Sequence, residues 1–307
     1  MKAKKRILVL GSDGLVGSAI KRSDYFNSKN LTHFSNRLDA DLTNLNDVQN
    51  LFNKVNPNVV INCAGKVGGI LANNTQRFEF LTENLKINLN IFEVIKDLEN
   101  VLVLNLGSSS VYPKDSKIPI KESSLMSGKL EETNSAYSLA KIAGIEMGKS
   151  LDGDKLKIVN LILSNLYGPN DNFNPETSHV VPGLIHKFYQ AHINNDEQCE
   201  VWGSGTPLRE FLFVDDLVDA IKLLIERDCE YQILNIGSSL EISIKDLSRK
   251  IADLIGFNGK IIFDSTKPDG VKRKTLDSSR ILSYDWKPAT SLDAGLKTTY
   301  EWYKANN

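Results

Sequence analysis

The chain has 307 residues, with 37 basic and 38 acidic side chains and a formal net charge of −1. A hydrophobic fraction of 41% with 24% charged residues excludes a disordered chain, and the charge balance excludes a uniformly basic polyanion binder, so no nucleic-acid partner is expected. No apolar run approaches the roughly 20 residues of a membrane span. The run at 7–10, after a basic start at 1–6, is too short for a signal-peptide core. A cytoplasmic enzyme is expected, built as one large α/β unit or two closely packed domains. Cys63, Cys199 and Cys229 are scattered and odd in number, which reads as reduced buried thiols, with neither a disulfide framework nor a metal site.

In chain order, the apolar run at 7–10 predicts a buried strand. Gly11, Gly14 and Gly17 follow it at the mouth of a helix through Ala19 and Ile20, with Leu15 and Val16 in the same turn. Glycines there permit a tight turn and let backbone N–H groups approach a pyrophosphate at the helix N-terminus. The spacing is GxxGxxG rather than GxGxxG, and such glycines are common; the clean strand before and the helix after carry the dinucleotide reading. A strand over 31–35 ends beside Arg37, where an NAD enzyme usually shows an acid for the ribose hydroxyls. A guanidinium can pair with a 2′-phosphate, so Arg37 points to NADPH; the alternative is an ordinary surface arginine. Asp41 and Leu42 then lie toward the adenine. A helix at 47–55 precedes a strand at 59–63, at whose end the stretch Asn62, Cys63, Ala64 and Gly65 lines the cofactor with small side chains.

A helix at 80–98 leads to a strand at 101–106 and then to GSSSVYP at 107–113, which places Ser108 at the sheet edge. Tyr137 and Lys141, four apart in a helix predicted over 136–151, project from one face. A tyrosine with an ordinary pKa near ~10 is a poor acid/base group at neutral pH, and a nearby ammonium is expected to lower that pKa. Tyr-x3-Lys alone is as often a pair of helix-surface residues; Ser108 is what gives it weight. With a further strand at 158–163, apolar runs separated by helices imply a parallel sheet covered on both faces.

Past residue 165 the texture changes. Residues 170–178 read as a loop, 211–214 as a strand running into a helix from Asp215, and 232–236 as another strand. Ile244, Leu247, Ile251 and Leu254 recur at helical spacing, and 293–303 forms a terminal amphipathic helix. The expected fold is α/β, a Rossmann-type doubly wound parallel sheet with a smaller C-terminal substrate-binding domain. Residues 1–169 and 210–240 are expected to bind the nucleotide, and 170–209 and 241–307 the substrate.

The glycine loop, SSxVYP and Tyr-x3-Lys in this order resemble the extended short-chain dehydrogenase/reductases. More narrowly, the chain is similar to the GDP-L-fucose synthase family through KVGGILANN (66–74), NLYGPNDNF (165–173), SHVVP (178–182), WGSGTPLREF (202–211) and KPDG (267–270). These stretches cover nearly the whole chain. The resemblance implies a homodimer in nucleotide-sugar biosynthesis that epimerises a GDP-linked 4-keto-6-deoxy sugar at C3 and C5, then reduces C4 with NADPH. By that resemblance Ser108, Tyr137 and Lys141 carry the reduction, with Lys141 also holding the nicotinamide ribose and Asn165 and Leu166 beside the nicotinamide. Val67, Gly68, Gly69, Asn165 and His179 face the sugar, while Lys187, Trp202, Arg209 and Lys267 grip GDP. A cation facing a diphosphate is physically sensible; core packing for Trp202 and a turn position for Lys267 are the plainer alternatives.

Two departures matter. The family's epimerisation uses a cysteine two positions after the catalytic serine, with a histidine as partner acid. The histidine matches as His179, but Ser110 stands at the cysteine position. A thiol near ~8.5 supplies some thiolate at neutral pH, whereas a hydroxyl nearer water's ~15.7 supplies almost none unaided. The expectation is therefore a C4 reductase of a GDP-4-keto sugar, hexose or heptose, with weak or no epimerase activity. A full GDP-L-fucose synthase is the rival; a UDP-sugar 4-epimerase fits the GDP-type stretches less well, and a non-catalytic nucleotide sensor would have a broken Ser/Tyr/Lys set. Secondly, Ser12 and Asp13 occupy a loop where the family tends to carry an arginine, so the NADPH expectation rests on Arg37.

Overall fold

The computed structural model describes residues 4–267 and 269–307. Met1 to Ala3 of the basic start and Pro268 of KPDG lie outside the described residues. The first half alternates β1 (Arg6–Leu10), α1 (Leu15–Arg22), α2 (Asp24–Ser28), β2 (Leu31–Ser35), α3 (Leu45–Val55) and β3 (Val59–Asn62). Then come α4 (Ile70–Thr75), α5 (Arg77–Ile95), β4 (Val101–Leu106), α6 (Ser135–Leu151) and β5 (Leu156–Leu163). Beyond them run β6 (Asn165–Tyr167), α7 (Val180–Ile193), β7 (Gln198–Trp202), β8 (Leu208–Phe213), α8 (Val214–Glu226) and β9 (Ile233–Ile236). The chain closes with β10 (Glu241–Ser243), α9 (Ile244–Ile255), β11 (Lys260–Asp264), β12 (Arg273–Lys274), α10 (Ser279–Leu282) and α11 (Leu292–Asn306).

Six strands form one sheet in the order β2-β1-β3-β4-β5-β9, every neighbouring pair parallel. The expected Rossmann-type sheet is therefore present. Parallel strands covered on both faces must be apolar throughout, and Ile7, Leu8, Val9 and Leu10 are all fully buried. Ile7 and Val9 pack with α1 and α8, while Leu8 and Leu10 pack with α3 and α5. Each such side chain contributes about 1.5–3 kcal/mol relative to exposure. Polar residues also cross the sheet. Asn62 donates to Asn105 at 3.0 Å and Asn105 to Asn160 at 2.9 Å, a buried ladder over β3, β4 and β5. Because Asn62 Oδ1 also accepts from Ala64 N–H, the ladder fixes the turn that leaves β3.

A second lobe gathers β6, β8, β10 and β12 into one small sheet and β7 with β11 into another. Its core joins α7, α9 and α11 through Phe188, Leu247, Ile251 and Tyr303. The chain leaves the main sheet after β5 and β9 and returns to it at α8 and α10, and the division anticipated at residue 210 runs through β8, which pairs with β6, β10 and β12. The crossing at Asn165 is pinned where its side chain donates to Glu210 O at 2.8 Å.

The turn after β1 is tight. Gly11 has φ +76°, and a Cβ there would sit 2.8 Å from Ala64 Cα. At Gly17 a Cβ would come within 2.4 Å of Gly11 O and 2.5 Å of Ser12 Cα, whereas at Gly14 it would meet nothing closer than 3.6 Å. The two glycines thus serve different ends: Gly17 closes the helix onto the loop, and Gly14 leaves the helix mouth bare. Gly17→Ala is expected to destabilise the fold by about 2–3 kcal/mol. Gly14→Ala is expected to leave stability within ~0.5 kcal/mol but to abolish NADPH binding. Thermal unfolding and a nucleotide titration on both variants check the split.

Candidate active site

A cleft of about 380 Å³ opens at the C-terminal ends of β1, β3, β4 and β5, where ligands bind in doubly wound sheets. It is lined by the expected Gly11, Gly14, Leu15, Val16, Gly17, Arg37, Asp41, Leu42, Ala64 and Gly65. Val67, Gly68, Ser108, Tyr137, Lys141, Asn165, Leu166 and His179 line it too. The first turn of α1 has no side-chain cap, so its N–H groups face the cleft at the bare Gly14. That cradle, whose floor has no room for a Cβ at Gly11, fits a nucleotide diphosphate. Gly69 lies just outside, where its N–H donates to Thr177 O at 2.9 Å and ties the 66–74 stretch to the loop before α7.

Ser108, Tyr137 and Lys141 converge at the end of β4. Lys141 is buried, and its Nζ donates to Leu106 O at 3.0 Å. It lies 5.9 Å from the centre of the Tyr137 ring, which meets Phe80 edge-on at 6.3 Å. Burial pushes the Lys141 ammonium down to about 8. Burial also raises the Tyr137 phenol above its ordinary value, only partly opposed by a hydrogen bond from Ser108. The expectation that Lys141 lowers the Tyr137 pKa does not hold in this geometry: the ammonium is aimed at a backbone carbonyl, and desolvation dominates both groups. Tyr137 therefore stays protonated at neutral pH, the form a proton donor needs.

The two residues at the positions expected for epimerisation are arranged differently. Ser110 is buried in the short 3-10 turn after β4; its N–H donates to Ser108 Oγ at 3.3 Å and its carbonyl accepts from Ser138 Oγ at 2.9 Å. Its own Oγ is closed off from solvent with no hydrogen-bond partner, and it is absent from the cleft lining. No base touches that hydroxyl. His179, the N-cap residue of α7, faces the open cleft, yet the surrounding walls lower its pKa by desolvation.

The expected GDP residues gather in the second lobe. Trp202 is half exposed between two cations, with Lys187 Nζ 5.0 Å and Lys267 Nζ 5.6 Å from its ring centre. An indole this exposed, with two cations close to its ring, is not core packing. Arg209 donates to Leu208 O at 2.9 Å and to Asp269 O at 3.2 Å. Beside it in register on β12 stands Lys274, pushed down to about 8 by burial and by Arg209. Sequence reasoning missed Lys274, whose signal was only its place just after KPDG. It also missed Asn36, Thr43 and Asp171 in the cleft, while Cys63 lines it beside Ala64 and Gly65. Burial pushes the Cys63 thiol up to about 12 and the Asp171 carboxyl up to about 7. Among the described residues no cluster could hold a metal ion, and no helix is long and apolar enough to cross a membrane.

Residues 7–237 match the NAD dependent epimerase/dehydratase family. The chain is 43% identical to GDP-L-fucose synthase 1 of Arabidopsis thaliana over 305 residues, covering 98% of this chain and 94% of that protein. Among solved structures, a GDP-6-OMe-4-keto-L-xylo-heptose reductase from C. jejuni superposes with a TM-score of 0.90 at 29% identity, covering 100% of this chain and 99% of that one. A GDP-mannoheptose C4 reductase from Campylobacter jejuni, solved with NADP bound, gives 0.86 at 30% identity over 99% of each chain. With its nucleotide cradle, its Ser/Tyr/Lys set and these matches over nearly its whole length, the chain belongs to the NAD dependent epimerase/dehydratase family, in the group that contains the GDP-L-fucose synthases.

Proposed function

We propose that this protein is an NADPH-dependent C4 reductase of a GDP-linked 4-keto-6-deoxy sugar, hexose or heptose, with little or no epimerisation at C3 and C5. It acts as a cytoplasmic homodimer in nucleotide-sugar biosynthesis. The observation that carries this reading is the contrast between two neighbouring serines. Ser108 lines the cleft beside Tyr137, while the Ser110 hydroxyl is closed off from solvent without a partner.

Bound NADPH supplies the hydride to C4. Ser108 orients the ketone by hydrogen bonding, and the protonated Tyr137 delivers a proton to the oxygen as negative charge develops there. Lys141 fixes the floor beside the tyrosine, and Asn165 and Leu166 close the far wall. Arg37 takes the 2′-phosphate, and Asp41 and Leu42 lie toward the adenine. Lys187, Trp202, Arg209 and Lys267 hold the GDP portion, with Val67, Gly68 and Gly69 along the sugar.

Removal of a proton from C3 or C5 needs a base within about 3 Å of it. Ser110 has neither exposure nor an activating partner, and a His179 with lowered pKa carries less of the imidazolium that could return a proton. One finding favours a second reading, full GDP-L-fucose synthase activity: the 43% identity to the Arabidopsis enzyme of that name. Incubation with NADPH and a panel of GDP-4-keto sugars, with and without prior C3/C5 epimerisation, separates the two. Direct C4 reduction products that keep the C3/C5 configuration supplied support the reductase; GDP-L-fucose from GDP-4-keto-6-deoxymannose refutes it. In the same assay Tyr137→Phe is expected to reduce turnover by about 10²-fold or more, since the ring stays and only the proton donor goes.

Lys141 also makes a prediction about stability. Its folded pKa of about 8 lies below its ordinary 10.5, so its contribution is fully present above 10.5 and is lost as pH falls through about 8. At pH 7 the fold carries a buried charge at a penalty on the order of 3 kcal/mol. Lys141→Met is therefore expected to raise the melting temperature at pH 7 and to lose that advantage by pH 10.5, as thermal unfolding at both pH values would show.

A further inference from the structure

Beside the end of the cleft lined by Arg37 and Asp41 stands a cation that none of the motifs assigns. The turn after β2 carries Arg37, Asp41 and Leu42 along the cleft, and one face of α5 runs beside it. Glu83 Oε2 lies 3.8 Å from Arg37 Nη2, and one stretch further along, Asn90 Nδ2 donates to Leu42 O at 3.0 Å. Residues three, four and seven apart share a helix face, so Lys86 stands between these two contacts, next to Ile87, which lines the cleft. Lys86 is exposed, and its charge reaches Asp41, whose carboxylate is lowered first by its bonds to Thr43 and further by Arg37 and Lys86.

The other charges at this end are already engaged. Asp13, in the loop where a family arginine is missing, is paired with Lys21 at 2.6 Å and takes a bond from Asn36 at 2.8 Å. Asp41 accepts from the Thr43 N–H at 2.9 Å and hydroxyl at 2.8 Å. Glu83 is held firmly by Lys66 at 2.9 Å and only loosely by Arg37, which leaves Arg37 free to turn. A phosphate monoester carries about −1.5 to −2 charges at neutral pH, more than one guanidinium neutralises.

We propose that Lys86 is the second cation for the 2′-phosphate of NADPH, acting with Arg37 to set the preference over NADH. This rests on the reading of Arg37 as a 2′-phosphate partner. The lysine comes from α5, so it replaces by a different route the charge that the glycine loop lacks.

The test is the dissociation constant of NADPH and of NADH, read from nicotinamide fluorescence at low and high salt. Lys86→Ala is expected to weaken NADPH binding about three- to tenfold, leave NADH unchanged and flatten the salt dependence; Lys86→Arg is expected to retain wild-type behaviour. Unchanged NADPH affinity in Lys86→Ala overturns the proposal, as does an equal loss for NADH. Arg37→Ala separates the two assignments. If it alone loses NADPH selectively, the Lys86 assignment falls and that of Arg37 stands; if neither variant does, both fall.

Discussion

Lys141 carries an ammonium into the core at the C-terminal edge of the sheet, where a charge is tolerated only if backbone acceptors surround it. Leu106 O at the end of β4 is that acceptor, at 3.0 Å. Its neighbours are shaped to suit. A Cβ at Gly65 would lie 3.4 Å from Lys141 Nζ and 2.8 Å from Asn84 Oδ1, so the chain leaving β3 must be bare there. Asn84 in turn binds both the N–H and the carbonyl of Lys66 at 3.0 Å. One buried cation thus fixes the exits of β3 and β4, and with them the places of Ser108 and Tyr137.

The same burial separates the two halves of the chemistry seen in this group. Reduction needs a donor that keeps its proton until charge develops, and an enclosed phenol does so. Epimerisation through a serine needs a hydroxyl that ionises readily so that it can take a proton from carbon, and enclosure works against that ionisation. At Ser110 the enclosure is complete, with the carbonyl spent on Ser138 and the hydroxyl unpaired. Enclosure therefore favours proton delivery at Tyr137 over proton removal at Ser110.

Much of the fold was legible because parallel strands buried on both faces leave unbroken apolar runs, as at 7–10 and 101–104. The Ser/Tyr/Lys set was legible because its spacing follows from a strand end and one helical turn. Less could be read where a residue's role depends on what the fold brings from afar. Arg209 and Lys274 are 65 positions apart, and only the parallel pairing of β8 with β12 makes them neighbours. Lys86 looks like any exposed lysine until α5 is laid beside the turn after β2. The pKa of Tyr137 was misjudged for a related reason: helical spacing gives proximity to Lys141, not the direction of its ammonium or the depth of burial.

The account turns on whether the sealed Ser110 leaves the site without a carbon base. With GDP-4-keto-6-deoxymannose in deuterated water and no NADPH, C3 and C5 protons acidified by the ketone exchange only if the protein removes them. Mass spectrometry of the recovered sugar reads this directly. The account predicts deuterium at trace levels, far below those given by a cysteine-bearing relative under the same conditions. Rapid incorporation at both carbons would contradict it.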